Sequence, residues 1–191
     1  MDKTGSNIRL IVEQCLEGNH KAERKLFELY YGYVFSITLQ YSHSREDAEE
    51  VCAEAFVKIF KNLDKYDSDL PFKPWLRRIA VNTAIDHIRK YQKHHKQHII
   101  ELEHVPEATS VSNTALSDMG YDELLACIQE LPPAYRTVFL LYAVEGYKHH
   151  EIAERLGISV GTSKSNLAKA RKKLQWLVCQ KNGGLKACID H

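Results

Sequence analysis

Apolar residues recur at intervals of three and four along almost the whole chain, and sustained alternation of apolar and polar residues is hard to find. The first spacing places apolar side chains on one face of an α-helix, whereas alternation would indicate a half-buried strand. Glycines and prolines fall mostly between the periodic segments, where helices end. The chain is therefore predicted to be all-α.

The helical pattern lapses longest over residues 92–120, where the sequence is rich in histidine, serine, threonine and charge and poor in aromatic residues. This composition is typical of a polar linker. The chain of 191 residues is therefore predicted to form two small helical domains, 1–91 and 121–180, with a short tail, 181–191. Helices are predicted over residues 6–17, after Asn19, after Ser44, over 75–91, 121–130, 133–145 and 148–156, and after Ser159 to about 180.

The composition, with 44% hydrophobic and 27% charged residues, is that of a soluble globular protein. The formal net charge is only +1, so any DNA-binding surface must come from local segregation of charge. No stretch approaches the roughly 20 apolar residues that cross a bilayer, and the first residues lack the features of a signal peptide. The five scattered cysteines are accordingly predicted to be reduced thiols of a cytoplasmic protein.

The most specific local signal is KHHEIAERLGISVGTSKSNLAKARKKL, residues 148–174, which has the form of a helix-turn-helix. Gly157 permits the left-handed turn that joins two crossing helices, and Ser159 is placed to cap the second helix. A helix start of small polar residues can enter a major groove, and the basic residues that follow suit phosphate. The competing interpretation is a solvated basic helix end, which the helix dipole also favours.

A second signal lies in SDLPFKPWLRRIAVNTAIDHIRK, residues 68–90. Phe72 and Trp75 stand beside Lys73, Arg77 and Arg78. Rings that stack on unpaired bases, together with cations that follow the backbone, are typical of single-stranded DNA binding. For Trp75 by itself, packing into the core is the simpler interpretation, because large aromatic side chains usually point inward.

The third signal is the acidic, amphipathic segment REDAEEVCAEAFVKIFKNL, residues 45–63. Its acidic residues cluster near the start of the predicted helix, where the helix dipole stabilises negative charge in any protein. An acidic and apolar helix face is equally suited to docking a protein partner. The residues themselves leave both interpretations open.

In chain order, these segments resemble those of the sigma-70 family of RNA polymerase sigma factors. Residues 47–63 are similar to the sigma-2 segment that binds the clamp coiled coil of the polymerase large subunit. Residues 74–90 are similar to the segment that melts and reads the −10 element, and residues 131–174 to sigma-4, which reads the −35 element. The two-domain layout, without the sigma-3 domain of housekeeping factors, is that of the extracytoplasmic-function class.

The resemblance implies roles for individual residues in three surfaces. The polymerase core would be bound by Asp47, Glu50, Ala55 and Phe56. The −10 element would be contacted by Asp67, Ser68, Phe72, Lys73, Trp75, Arg78 and Asn82. The −35 element would be contacted by Thr162, Lys164, Ser165, Asn166, Ala168, Lys169 and Arg171. Within the −10 set, residues 67–72 would form the pocket for a flipped base, and Asn82 is the best candidate for a base contact.

One position departs from the family pattern. The family often has TVKSRL where this chain has TSKSNL, residues 162–167, so Asn166 stands in place of a basic residue. Asparagine can pair with adenine through two hydrogen bonds, or it simply contributes less charge. The promoter preference of the chain is therefore open.

The resemblance further implies a protein that is not an enzyme and takes no cofactor, metal or small-molecule substrate. Its partners would be RNA polymerase core, through the beta-prime clamp and the beta flap, together with promoter DNA and an anti-sigma factor. It would act in the cytoplasm, and an anti-sigma factor could hold it at the inner membrane.

Two other functions compete with this prediction. An ordinary helix-turn-helix regulator would bind duplex DNA without polymerase, but it leaves the acidic and the basic-aromatic helices unexplained. A metal site could be sought in the histidines between residues 94 and 104, but their spacing matches no zinc template. The sequence HHE at 149–151 is not the start of HExxH, because residues 154 and 155 are glutamate and arginine.

Overall fold

The structure, a computed structural model, describes residues 3–94 and 120–181. Within these ranges every regular element is helical, which confirms the all-α prediction. The helices are α1 (Lys3–Leu16), α2 (His20–Tyr41), α3 (Arg45–Lys61), α4 (Phe72–His94), α5 (Tyr121–Gln129), α6 (Pro133–Ala143), α7 (His149–Leu156) and α8 (Val160–Lys181), with a 3₁₀ turn at Leu63–Lys65. Of these helices, none is long and apolar enough to cross a membrane.

The chain divides into two compact units, Met1–Tyr91 (unit 1) and Gln92–His191 (unit 2). Most of the predicted linker, residues 95–119, and the end of the tail, 182–191, lie outside the described residues. Residues 92–94, which were assigned to the linker, instead continue α4.

In unit 1 the helix α2 packs against both α1 and α3, and α4 contributes an apolar stripe whose residues Leu76, Ala80, Val81 and Ala84 are buried. The fully buried large side chains of unit 1 are Leu26, Val34, Ile37, Val51, Ile59, Leu76 and Val81. The predicted caps that begin the helices are present: the side chain of Asn19 accepts from two backbone N–H groups of α2, and Ser44 Oγ accepts from Asp47 N at 3.1 Å. The caps satisfy N–H groups that have no partner inside the helix.

In unit 2 the helices α6 and α7 pack against α8, which has 22 residues. The fully buried large side chains of unit 2 are Val138, Leu140, Leu141, Ile152 and Val178. Gly157 has a φ of 68° and lies between α7 and α8, as predicted for the turn of a helix-turn-helix. Ser159 Oγ accepts from Thr162 N at 2.9 Å, which confirms the predicted cap of α8.

Candidate nucleic-acid and protein interfaces

Helix α4 begins at Phe72, three residues before the predicted start at Trp75. Pro74 lies in the first turn, where proline is tolerated because the backbone N–H groups have no partner inside the helix. Phe72 is consequently the first residue of the helix rather than part of the loop, and only 5% of it is exposed. Its ring therefore supports the surface from within and is not available for stacking with a base.

The start of α4 is a cluster of four aromatic rings. Phe72 contacts Tyr30 edge-on at 5.1 Å, Tyr66 edge-on at 4.8 Å, and Trp75 in a stacked arrangement at 5.5 Å between ring centroids. Tyr66 also lies 5.4 Å from Trp75. Burial raises the pKa of the hydroxyls of Tyr30 and Tyr66. Trp75 is half-buried, so one part of its ring is fixed by the cluster and another part reaches the surface.

The loop before α4 is short and closed by its own hydrogen bonds. Asp67 Oδ1 accepts from Asp69 N at 3.0 Å, and the backbone carbonyl of Asp67 accepts from Leu70 N at 3.1 Å. The hydroxyl of Tyr66 donates to the carbonyl of Leu70. Asp67, Ser68 and Leu70 are exposed beside the aromatic cluster. The loop is therefore a small, preformed rim next to Trp75.

The cations predicted for the −10 element lie on the outer side of the same helix. Lys73 and Arg78 are exposed, and Lys73 Nζ lies 5.5 Å from the centroid of the Tyr33 ring. Asn82 is half-buried, two turns after Trp75. The structure thus brings the predicted −10 residues together along the first three turns of α4 and the loop before it, with Phe72 beneath them.

In the helix-turn-helix, the predicted −35 residues occupy one side of α8. Thr162, Lys164, Ser165, Ala168 and Arg171 are exposed, whereas Asn166 and Lys169 are half-buried at the margins of this face. Ser163, between them in sequence, is fully buried and points into the motif. Apart from Val160, the exposed side chains near the helix start are small or basic, which lets a groove approach the backbone closely.

Two of the basic side chains of α8 are held by aromatic rings of α6. Arg171 Cζ lies 5.6 Å from the centroid of the Tyr142 ring, and Lys169 Nζ lies 5.7 Å from that of Tyr135. Cation–π contacts of this kind orient a long side chain without neutralising its charge. Arg171 and Lys169 are therefore partly positioned before any DNA is bound.

On α3 the structure separates the residues that were predicted to bind a partner. Ala55 and Phe56 are 0% and 4% exposed, because they lie on the apolar stripe that packs into unit 1. They support the surface of α3 rather than form it, which corrects their predicted place. Glu50 is exposed on the outer side of the helix.

Asp47 is largely occupied within the fold. Its Oδ2 accepts from His43 N at 2.9 Å, and its Oδ1 is 3.3 Å from Nδ1 of His87 on α4. The backbone N–H of Asp47 donates to the side chain of the predicted cap, Ser44. The carboxylate of Asp47 accepts from the backbone N–H of His43, the residue before the cap, and not from that of Ser44. Asp47 thus joins the start of α3 to α4.

Sequence reasoning missed two apolar features of the outer surface of unit 1. Val57 on α3 is 66% exposed, and it follows Glu50 and Ala53 at helical spacing. On α2 the rings of Phe27, Tyr31 and Phe35 form a row, with centroid distances of 5.3 and 5.7 Å between neighbours. Both features could have been found in the sequence, because Phe27, Tyr31 and Phe35 recur at intervals of four and Val57 follows Glu50 and Ala53 at helical spacing.

The cysteines of the described helices lie where the apolar pattern places them. Cys15, Cys52 and Cys127 are free and buried, as their places in that pattern indicated. Cys188 lies outside the described residues.

Comparison with known proteins identifies the family. Residues 26–94 match the family described as Sigma-70 region 2, and residues 121–174 match Sigma-70, region 4. The ECF RNA polymerase sigma-E factor of Escherichia coli (strain K12) is 30% identical over 175 residues, which cover 87% of this chain and 91% of that protein. The ECF RNA polymerase sigma factor SigW of Bacillus subtilis is 28% identical over 182 residues, covering 88% of this chain and 95% of its own.

Among solved structures, the sigma factor RpoE from Bartonella quintana, crystallised with the anti-sigma factor NepR, is 19% identical to this chain. It covers 81% of this chain and 95% of its own length, with a TM-score of 0.46. The chain belongs to the sigma-70 family and, within it, to the extracytoplasmic-function class. It is an alternative sigma factor that directs transcription initiation, and its relatives are sigma factors, which are not themselves enzymes.

Proposed function

We propose that three surfaces, the outer side of α3, the start of α4 and the exposed side of α8, carry out separate steps of transcription initiation. Unit 1 binds polymerase core through the outer side of α3 and opens the −10 element at the start of α4. Unit 2 reads the −35 element with α8. The observation that carries this proposal is the cluster at the start of α4, where a half-exposed Trp75 rests on buried rings beside exposed Lys73 and Arg78. A regulator that binds only duplex DNA has no use for such a surface.

At the −10 element, Trp75 supplies a fixed ring against which an unpaired base can stack. Such stacking contributes about 1–3 kcal/mol per base, which offsets the cost of unpairing. The closed loop at Asp67 and Ser68 forms the rim that receives the flipped base. Lys73 and Arg78 follow the backbone of the single strand, and Asn82 is the side chain that contacts a base.

At the −35 element, the first turn of α8 enters the major groove. Lys164 and Ser165 lie on the outer face, where they reach base edges, while Thr162 and Arg171 hold phosphate. Asn166 is half-buried at the margin of this face, so it reads a base only at the edge of the contact. Its amide is suited to adenine.

For the polymerase core, the exposed surface of α3 combines negative charge with apolar side chains. Glu50 and Val57 are exposed on it, and the half-buried ring of Tyr31 lies in the row on neighbouring α2. This surface suits the basic and apolar face of a coiled coil in the beta-prime clamp, with unit 2 bound to the beta flap.

The same surfaces explain an anti-sigma partner, since a protein that covers them blocks polymerase. We place the factor in the cytoplasm, where polymerase and promoter DNA are found, with an anti-sigma factor able to hold it at the inner membrane.

The first test is to mix the purified protein with species-matched polymerase core, follow co-elution by size exclusion, and transcribe a fragmented genomic library with the mixture. We expect a stable complex and discrete new transcripts, whose start sites give the −10 and −35 sequences. Failure to bind the matched core, with retained binding to duplex DNA, would favour the regulator that acts without polymerase.

A further inference from the structure

The helix-turn-helix contains a hydrogen bond between its two helices that the proposed DNA contacts do not use. Nδ1 of His149, the first residue of α7, is 3.0 Å from Oγ of Ser163 in the first turn of α8. Either atom can donate, depending on the tautomer of the imidazole. Ser163 is 0% exposed, and a buried hydroxyl is costly unless it is hydrogen-bonded. The imidazole therefore satisfies a group that solvent does not reach.

The position of this bond allows it to fix the orientation of α8 relative to α7. The turn at Gly157 joins the two helices at one end of α7, and His149 lies at the other end. At a rise of about 1.5 Å per residue, His149 is about 12 Å along the helix from Gly157. Two helices that are joined by a turn at one end and linked again at a distance have a defined crossing angle. The bond thus fixes the angle between α7 and the first turn of α8.

The same imidazole makes a second contact that leads to the DNA-facing side. Its ring stacks on Tyr142 of α6, with centroids 4.8 Å apart and planes 26° apart. Arg171 Cζ lies 5.6 Å from the centroid of the same Tyr142 ring. His149 therefore contacts α6 and α8 at once, and it supports the ring on which Arg171 rests.

We propose that His149 is a positioning residue for −35 recognition. It holds the first turn of α8 through Ser163, and it orients Arg171 through Tyr142. The inference rests on the proposed reading of the −35 element by α8.

The test uses the full chain in complex with polymerase core and a promoter fragment recovered from the transcription experiment. His149→Phe keeps a ring that can stack on Tyr142 but removes Nδ1, and Ser163→Ala removes the hydroxyl. His149→Asn removes the ring but places an amide atom where Nδ1 stood. His150→Ala is the matched control, since it removes the exposed neighbouring histidine on the same helix. Affinity is measured for the intact fragment and for one with a scrambled −35 element.

We expect His149→Phe and Ser163→Ala each to weaken −35-dependent binding about five- to tenfold. His149→Phe leaves the buried hydroxyl of Ser163 without this partner, and Ser163→Ala removes the group that holds the imidazole. The double variant should be no weaker than the single ones, since both remove the same bond. His149→Asn keeps the bond to Ser163 but loses the stack on Tyr142, so its loss should be smaller than that of His149→Phe, about two- to threefold. His150→Ala should stay within about twofold of the parent chain. Binding to the scrambled fragment and to core should not change.

The inference is overturned if the two losses multiply in the double variant, or if they are equally large on the scrambled fragment. Lys164→Ala and Arg171→Ala serve as the reference for the proposed function. If they weaken −35 binding and the His149 and Ser163 variants do not, only the positioning role fails. If all of them leave −35 binding unchanged, the assignment of α8 to the −35 element fails.

Discussion

The two helices assigned to DNA, α4 and α8, begin in opposite ways. α4 begins with a buried ring, Phe72, which packs against Tyr30, Tyr66 and Trp75. α8 begins behind a serine cap with exposed residues that are mostly small, and rings of α6 contact two of its basic side chains. The start of α4 therefore presents aromatic rings that are packed against one another. The start of α8 presents accessible backbone and basic side chains.

The difference suits the form of DNA that we propose each helix meets. An unpaired base offers a flat apolar face, so the protein needs a ring that is already fixed and does not lose entropy on stacking. A duplex offers phosphates and groove edges, so the protein needs cations and a helix end slim enough to approach. The four predictions below test this contrast, in order of decreasing effect.

The largest effect is expected from Trp75→Ala. Loss of the half-buried ring should reduce open-complex formation about 10- to 100-fold, because stacking contributes about 1–3 kcal/mol per base. The measurement is permanganate reactivity of the −10 region, together with transcription from a template that is already melted there. Binding to core should be unchanged, and the melted template should restore much of the activity.

Tyr91→Ala is the control for Trp75, because Tyr91 is an exposed aromatic residue near the other end of the same helix. It should leave opening unaffected. If folded Trp75→Ala protein lost core binding as much as promoter opening, the ring would not act specifically on an unpaired base. That outcome would contradict the proposed contrast between α4 and α8.

The second effect concerns charge on α8. Lys164→Ala should weaken binding to the −35 duplex about fivefold and lower the salt dependence of that binding by about one counterion. Lys181→Ala removes the same charge from the same helix, but there the side chain bonds Glu130 at 2.7 Å. Affinities measured over a range of salt concentrations would separate the two variants. Equal salt slopes in both would mean that position 164 does not meet phosphate.

The third prediction extends the contrast to α3, where the carboxylates of Asp47 and Glu50 have different uses. Asp47→Asn should lower the free energy of unfolding by about 1 kcal/mol, because it weakens the links to His43 and His87. Glu50→Gln should leave stability unchanged and weaken core binding a few-fold, as expected for a rim charge. Thermal melting and core affinity are measured for both. A core-binding defect confined to Asp47→Asn would reverse the assignment.

The smallest effect is expected in the core beneath these surfaces. Burial raises the pKa of the Cys52 thiol from 9.0 to about 11. Since the folded pKa lies above the unfolded value, this contribution to stability is fully present below pH 9 and is lost as the pH rises towards 11. The free energy of unfolding should therefore fall more steeply across that window in the parent chain than in Cys52→Ala. Parallel curves would exclude a buried, neutral thiol.

The sequence was sufficient for the features that depend on local pattern. The helical spacing predicted the all-α fold, Asn19, Ser44 and Ser159 predicted caps that are present, and Gly157 predicted the turn of the helix-turn-helix. These features depend on groups within a few residues of one another. The order of the three segments likewise identified the family.

Tertiary structure decided which side chains face outward and which polar groups meet. The helix predicted to start at Trp75 instead begins at Phe72, whose ring packs against Tyr30 and Tyr66. Phe56 proved to be buried, because which side of an amphipathic helix faces a partner depends on neighbours from elsewhere in the chain. The bond between His149 and Ser163 joins residues on two helices whose crossing no local pattern specifies. Contacts of this kind depend on packing between elements, and packing is a property of the folded chain as a whole.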